Sequence, residues 1–420
     1  MKRILMVSTH GYFESKPSFG RPDTGGQIVF VIELSRALVG FGYTVDILTR
    51  RFEDFPQVEK VSGEVRIVRT PCGGRDFIPK EYLVKYLPQL VDGFVEYCQH
   101  HGLEYEFIDS HYWDAGFVST KLAQIFGVPH TFTPHSIGVW KKMQMKRASA
   151  DTGVELDEEE FEREHNFTQR IETEKRIMSD VDKVIATTLG QRDIMCGDYG
   201  IPERKIAVIP PGFHPDKYRR MERGALKKVI EKYKLPPRFV LAAGRITAYK
   251  GYDLLVKAME SVVREMPEVK LVLRIGSTRP TEDEIRMKKD LLQLAEDLDL
   301  ADNVLFYDYI EEFEAFFNAA EVFVLSSTYE PFGMVAIESM ACGTPTIVTT
   351  KGGLKCFLKD GQDALLVDPV DTRALAKTIL RLLRDRALSD RLSQQGYEKA
   401  HSMFTWAAIA QSTLKVIKQL

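Results

Sequence analysis

The 420-residue chain has only five cysteines, Cys72, Cys98, Cys196, Cys342 and Cys356, scattered and never in C-x-x-C spacing. An odd, dispersed set excludes a disulfide framework or a zinc ribbon and fits reduced thiols. No uninterrupted apolar stretch approaches the ~18 residues of a membrane span, and the opening MKRILMVSTHG turns polar too soon for the apolar centre of a signal peptide. A cytoplasmic protein without a membrane span is therefore expected. Net positive charge is lacking too: 57 Lys and Arg against 60 Asp and Glu leave −3, so no global field attracts a polyanion, and nucleic acid is not an expected partner. Both common nucleotide fingerprints, G-x-x-x-x-G-K-[ST] and G-x-G-x-x-G after a strand, are missing, which argues against P-loop hydrolysis and ordinary nicotinamide binding.

What is present is average globular material, 44% hydrophobic and 28% charged with 29 Gly and 19 Pro, in a length that suggests more than one domain at ~100–200 residues each. Short β-branched apolar runs alternate with segments of helical periodicity, the pattern of parallel α/β sheets covered by helices. The runs 4–7, 45–49, 65–68, 107–110, 130–133, 184–187 and 206–209 read as strands of a first series. Pro210-Pro211-Gly212 then breaks the pattern, and a second series follows at 239–243, 270–275, 304–306, 322–325, 346–349 and 364–367. The expected architecture is two α/β domains, 1–212 and 213–402, with an amphipathic C-terminal helix at about 403–420, carrying Phe404 and Trp406, packing back on the first. The charged runs Lys141–Arg147 and Glu155–Glu164 read as a solvated loop and helix face.

Four local patterns could carry chemistry. After the first strand stands Asp23-Thr24-Gly25-Gly26-Gln27, where two glycines opening a helix let backbone N–H groups approach an anion; alone, the pair also fits an ordinary turn. The run 239–244 ends in Gly and leads to Arg245 and Lys250-Gly251, cations past the carboxyl end of a parallel strand, where they either neutralise a diphosphate or sit solvated on a loop. Glu330-Pro331-Phe332-Gly333 enters a helix that reaches Glu338, and carboxylates at a helix N-terminus either accept sugar hydroxyls or cap. Pro134-His135-Ser136 closes a first-domain strand, where a lone histidine is either structural or catalytic.

Taken together, these pieces resemble the retaining glycosyltransferases of the GT-B fold, two Rossmann-like domains facing across a donor-filled cleft. The resemblance spans nearly the whole chain, and its most specific element is the E-x₇-E run from Glu330 to Glu338. Within that fold, 23–27 and His-Ser-Ile-Gly at 135–138 resemble the sucrose-phosphate synthase group. The segments 8–12, 50–54, 72–82 and 137–142 are similar to those of its mannosylfructose-phosphate-forming branch. The resemblance implies donor contacts from Gly25, Gly26, Arg245, Lys250, Glu330, Pro331, Phe332, Gly333 and Glu338, with Arg245 and Lys250 on the diphosphate and Glu338 on the nucleotide ribose. It implies an acceptor site of Gly26, Gln27, Lys80, Lys141 and Arg170, the three cations on a phosphate, although Gln169 stands where the group tends to have a second arginine. His135, Arg245, Lys250 and Glu330 are the implied catalytic set. No tightly bound cofactor is implied: a nucleotide sugar is the co-substrate, and Mg²⁺ is compatible but not required. The implied reaction moves mannose from GDP-mannose to fructose 6-phosphate. Sucrose-phosphate synthesis from UDP-glucose is the alternative, ahead of a nucleotide-sugar epimerase or a non-catalytic sugar-phosphate sensor. Asp180-Val181-Asp182 reads as the end of a helix rather than a metal motif.

Overall fold

A computed structural model describes residues 2–16, 23, 25–151, 157–276, 280–308, 310 and 312–420, with side chains from 147 to 151 not described. Thr24 of the Asp-Thr-Gly-Gly-Gln motif and residues 155–156 of the acidic run lie outside the described residues. The chain forms two units, one of the residues up to Pro211 together with Trp406–Leu420, the other Gly212–Thr405. Gly212 thus opens the second unit rather than closing the first.

In the first unit, β1 (Lys2–Val7), β2 (Tyr43–Arg51), β3 (Val58–Ser62), β4 (Val65–Pro71), β5 (Phe107–His111), β6 (His130–Thr133), β7 (Lys183–Ala186) and β8 (Ile206–Val208) form one sheet. Their order is β3-β4-β2-β1-β5-β6-β7-β8. All neighbours run parallel except β3, an antiparallel edge strand with a register shift between Lys60 and Ser62. Sequence periodicity did not indicate β3, because its five residues are only half covered and gain definition by pairing with β4. The inner strands are apolar runs because helices cover both faces: Ile4, Leu5, Met6 and Val7 are all fully buried. Helix Gly26–Val39 buries Phe30, Val31 and Leu34 and receives the C-terminal helix Trp406–Ile417, with Phe30 and Trp406 edge to face at 5.2 Å.

The second unit repeats the logic with β9 (Phe239–Gly244), β10 (Lys270–Ile275), β11 (Val304–Tyr307), β12 (Val322–Leu325), β13 (Thr346–Thr349) and β14 (Leu365–Val367), in the order β11-β10-β9-β12-β13-β14, every pair parallel. Phe404 belongs to this unit, fully buried against Phe332 and Phe357, and not to the returning helix, which starts at Trp406. In each sheet the chain order reverses beside the first strand of the unit, between β1 and β5 and between β9 and β12. Open parallel sheets bind ligands beyond the carboxyl ends of strands at such points. Gly25, Gly26 and Gln27 follow β1, and Arg245, Lys250 and Glu330 follow β9 or β12, beside these points, whereas Lys80, His135, Lys141 and Arg170 follow β4 or β6 or lie on a later helix. No described helix is long and apolar enough to cross a membrane.

Candidate active site

At the first switch point, Gly25 is the N-cap of helix Gly26–Val39, in extended conformation and with no side chain capping the first turn. A Cβ added at Gly25 or Gly26 would meet nothing within 4 Å among the described residues, and the first N–H groups of the helix lack intrahelical partners. Gln27 is fixed beside them, its Nε2 donating to Ser8 Oγ (3.1 Å) and to the His111 carbonyl (3.1 Å).

His135 follows β6 at φ 56°, and its Nε2 lies 3.0 Å from Nδ1 of His111. The Asp109 carboxylate lies 3.5 Å from His111 Nε2, which makes no hydrogen bond among the described residues, so the tautomers decide which ring donates in the His111–His135 bond. Burial, then the adjacent His111 and His10, hold His135 well below the usual imidazole range, so it is neutral near pH 7. His10, after β1, bonds through Nδ1 to both oxygens of fully buried Asp114 (2.8 and 3.1 Å). Burial opposes ionisation of Asp114, yet His10, Thr9 and the Ala115 N–H keep it below the ordinary carboxylate range. Tyr112, between these groups, holds φ 80°, a costly conformation for a bulky residue that the surrounding contacts must over-determine. His10, His111, Asp109 and Asp114 were not among the expected site residues. The signal was positional: each stands at or just beyond the carboxyl end of β1 or β5.

The three cations implied for an acceptor phosphate gather in this unit, in different states. Arg170 is 4% exposed; its Nε donates to Glu174 (2.7 Å) and its Nη2 to the Ser136 carbonyl (2.7 Å). Fully buried Glu174 also accepts from the Gly138 N–H (2.9 Å) and the Tyr199 hydroxyl. One nitrogen of Arg170 is thus committed to Glu174 and another to the turn that carries His135. Lys80 bonds to the Asp23 carboxylate and lies 3.1 Å from Glu81. Burial pulls it down, but these two partners leave it above the usual lysine range. Lys141 is half-buried with no hydrogen-bond or ion-pair partner among the described residues. Burial, then the charges of Arg170 and Lys80, push it below the usual range, so the cations are close enough to repel one another.

In the second unit, Gly251 at φ 64° packs so near β12 that a Cβ would collide with the Ser326 carbonyl oxygen, which obliges glycine directly after Lys250. Lys250 Nζ pairs with Glu330 Oε2 at 2.6 Å, and Ser327 Oγ donates to the same oxygen at 3.1 Å. Arg245 is exposed and without a partner among the described residues. Glu330 and Glu338 do not share a helix as the sequence suggested. The helix spans Met334–Ala341, capped by Gly333 at φ 116°, whereas Glu330 bridges to Gly352 in an extended segment before it. Pro331 is exposed, but the Phe332 ring is a core residue 5.9 Å from Phe357, which leaves only its backbone to meet a donor. Burial pushes Glu338 up to about 7 against the opposing effects of Lys217, the Tyr218 hydroxyl, His214 and Arg274. Asp180 does close helix Phe167–Asp180, and Asp182 accepts from the His130 N–H. No group of three or more His, Cys, Asp or Glu side chains among the described residues is arranged to hold a metal ion.

Residues 24–217 match the model for Glycosyltransferase Family 4, residues 226–399 that for Glycosyl transferases group 1, and residues 1–44 that for the sucrose synthase first GT-B domain. The chain is 42% identical to the mannosylfructose-phosphate synthase of Agrobacterium fabrum over 99% of its own length and 91% of that protein. It is 27% identical to a probable sucrose-phosphate synthase of Thermosipho melanesiensis, covering 99% and 96%. Among solved structures, the sucrose-phosphate synthase of Thermosynechococcus elongatus aligns with TM-score 0.76 at 30% identity, covering 100% and 99% of the two chains. Two parallel-sheet units with these matches make the protein a GT-B glycosyltransferase, an enzyme that transfers hexosyl groups. It belongs to the family that includes mannosylfructose-phosphate synthase and sucrose-phosphate synthase.

Proposed function

We propose that the enzyme transfers mannose from GDP-mannose to fructose 6-phosphate, giving mannosylfructose phosphate with the donor's anomeric configuration retained. The observation that carries this reading is the 42% identity to a mannosylfructose-phosphate synthase across 99% of the chain. The first unit takes the acceptor. Its cluster of Lys80, Arg170 and Lys141, the last without a side-chain partner among the described residues, favours a phosphomonoester, whose charge several cations share.

The second unit takes the donor. As the bond from the anomeric carbon to the diphosphate lengthens, negative charge grows on the leaving oxygens. Arg245, without a partner among the described residues, and Lys250 meet that charge more strongly in the transition state than before it. The acceptor hydroxyl bonds to the anomeric carbon from the leaving-group face, and its proton passes to a phosphate oxygen of the departing nucleotide. Glu330, its charge already matched by Lys250, accepts hydrogen bonds from donor-sugar hydroxyls and orients the ring. Ionised Glu338 holds the ribose hydroxyls. Neutral His135, anchored on His111, stands beside the reacting sugar as a hydrogen-bonding group.

Sucrose-phosphate synthesis from UDP-glucose is the second reading, favoured by the 30% identity to a solved sucrose-phosphate synthase. NMR of the purified product distinguishes them: an α-mannosyl residue on a phosphorylated fructose supports the first, an α-glucosyl residue the second, and a β-linked product refutes retention in both.

A further inference from the structure

The loop from Cys72 to Pro79 contains no helix or strand. Gly73 and Gly74 both take positive φ, at 68° and 86°, and no strand pairing holds the segment. Gly73 N–H donates to Gln89 (2.9 Å), the Arg75 carbonyl accepts from the Glu53 N–H and Arg75 pairs with Asp54, while one buried side chain reaches three of the loop's carbonyls. Arg50, at the carboxyl end of β2 and 3% exposed, donates Nε to the Cys72 carbonyl (2.6 Å) and Nη2 to those of Gly74 (3.2 Å) and Asp76 (2.7 Å). On the other side of the loop the Phe77 ring stacks on Tyr12, centroids 5.4 Å apart and nearly parallel at 8°. Only Phe77, Ile78 and Pro79 separate the last clamped carbonyl from Lys80. Proline restricts that path further. Arg50 has no carboxylate partner among the described residues, so its charge is spent on backbone carbonyls, which are strong acceptors of charge-assisted hydrogen bonds.

We propose that Arg50 is a positioning residue that fixes Lys80 in the acceptor's phosphate site, and so sets how strongly a phosphorylated hexose is preferred over the free sugar. The proposal rests on the acceptor reading above. It assigns Arg50 no contact with either substrate.

The test compares wild type with Arg50→Met, Arg50→Lys and Phe77→Ala. Fructose 6-phosphate is varied at saturating GDP-mannose, and donor hydrolysis is measured without acceptor. Losing one charge-assisted phosphate contact corresponds to a rise in KM for fructose 6-phosphate of about ten- to a hundredfold. Arg50→Met is expected in that range and Phe77→Ala at its lower end. Arg50→Lys recovers part of the loss because an ammonium reaches some of the carbonyls. The hydrolysis rate and the KM for GDP-mannose stay at wild-type values in all three. Thermal melts establish which variants fold; should Arg50→Met unfold, half-buried Phe77 still releases the loop from its other side. A folded variant with unchanged KM for fructose 6-phosphate, or one in which hydrolysis falls in step with transfer, overturns the proposal. A wild type that transfers to fructose as well as to fructose 6-phosphate overturns the acceptor reading itself, and the proposal with it.

Discussion

Glu338 gives the sharpest test of the donor site. Its carboxyl is pushed up to about 7 by burial, with Lys217, Tyr218, His214 and Arg274 facing it and pulling the other way. Only the carboxylate accepts a hydrogen bond from each of two ribose hydroxyls without giving up an oxygen to its own proton. With a pKa near 7, roughly a tenth of the sites are ionised at pH 6 and roughly nine-tenths at pH 8. GDP should therefore bind about tenfold more tightly at pH 8 than at pH 6, a difference of about 1.4 kcal/mol. The direction follows from the sign of the shift: burial raises the carboxyl, so protonation competes with ribose binding up to neutrality, and affinity rises as pH rises. Calorimetric titration of GDP at fixed ionic strength, in buffers of different ionisation enthalpy, reads both the affinity and the proton released on binding. In Glu338→Gln the slope disappears and affinity stays at the acid-side value throughout. A flat wild-type profile, or a slope that survives in the glutamine variant, refutes the assignment of Glu338 to the ribose.

Further expectations concern the cations and glycines. Arg170→Met strands Glu174 without its ion pair in the core, and urea denaturation should show a loss of about 3–5 kcal/mol. Lys141→Met removes an unpaired, half-buried charge; its stability should change by less than about 1 kcal/mol while the KM for fructose 6-phosphate rises, and a large destabilisation would contradict the unpaired state. Arg245→Ala should lower kcat on the order of a hundred- to a thousandfold with a much smaller change in GDP affinity, since its contact strengthens with leaving-group charge. Gly251→Ala forces a backbone collision at positive φ and should melt well below wild type, whereas the double variant Gly25→Ala, Gly26→Ala meets no atom among the described residues, keeps its melting temperature and loses turnover.

The parts of the fold legible in the sequence were those whose signal is local and doubled by burial. The inner strand at 4–7 reads as an apolar run because helices cover both of its faces, and it lies within β1. Val58–Ser62 has half-exposed positions, and only its partner β4 makes it a strand. The expected site residues came from compact motifs, which single out Lys250 and Glu330 separately, but nothing local shows that they pair across 80 positions. Likewise His111 reaches the first switch point only because β5 pairs with β1, Ile4 opposite Phe107. The Arg170–Glu174 ion pair carried a local signal, the i,i+4 spacing, that the motif-based reading passed over. The shared helix expected for Glu330 and Glu338 failed because Pro331-Phe332-Gly333 delays the helix start to Met334.

The most direct test is turnover with GDP-mannose and with UDP-glucose, each against fructose 6-phosphate and against free fructose, following nucleotide release and product. Transfer from GDP-mannose to fructose 6-phosphate, with the other three mixtures at background, is the expected result. Transfer from UDP-glucose alone, or equal use of the free sugar, would contradict it.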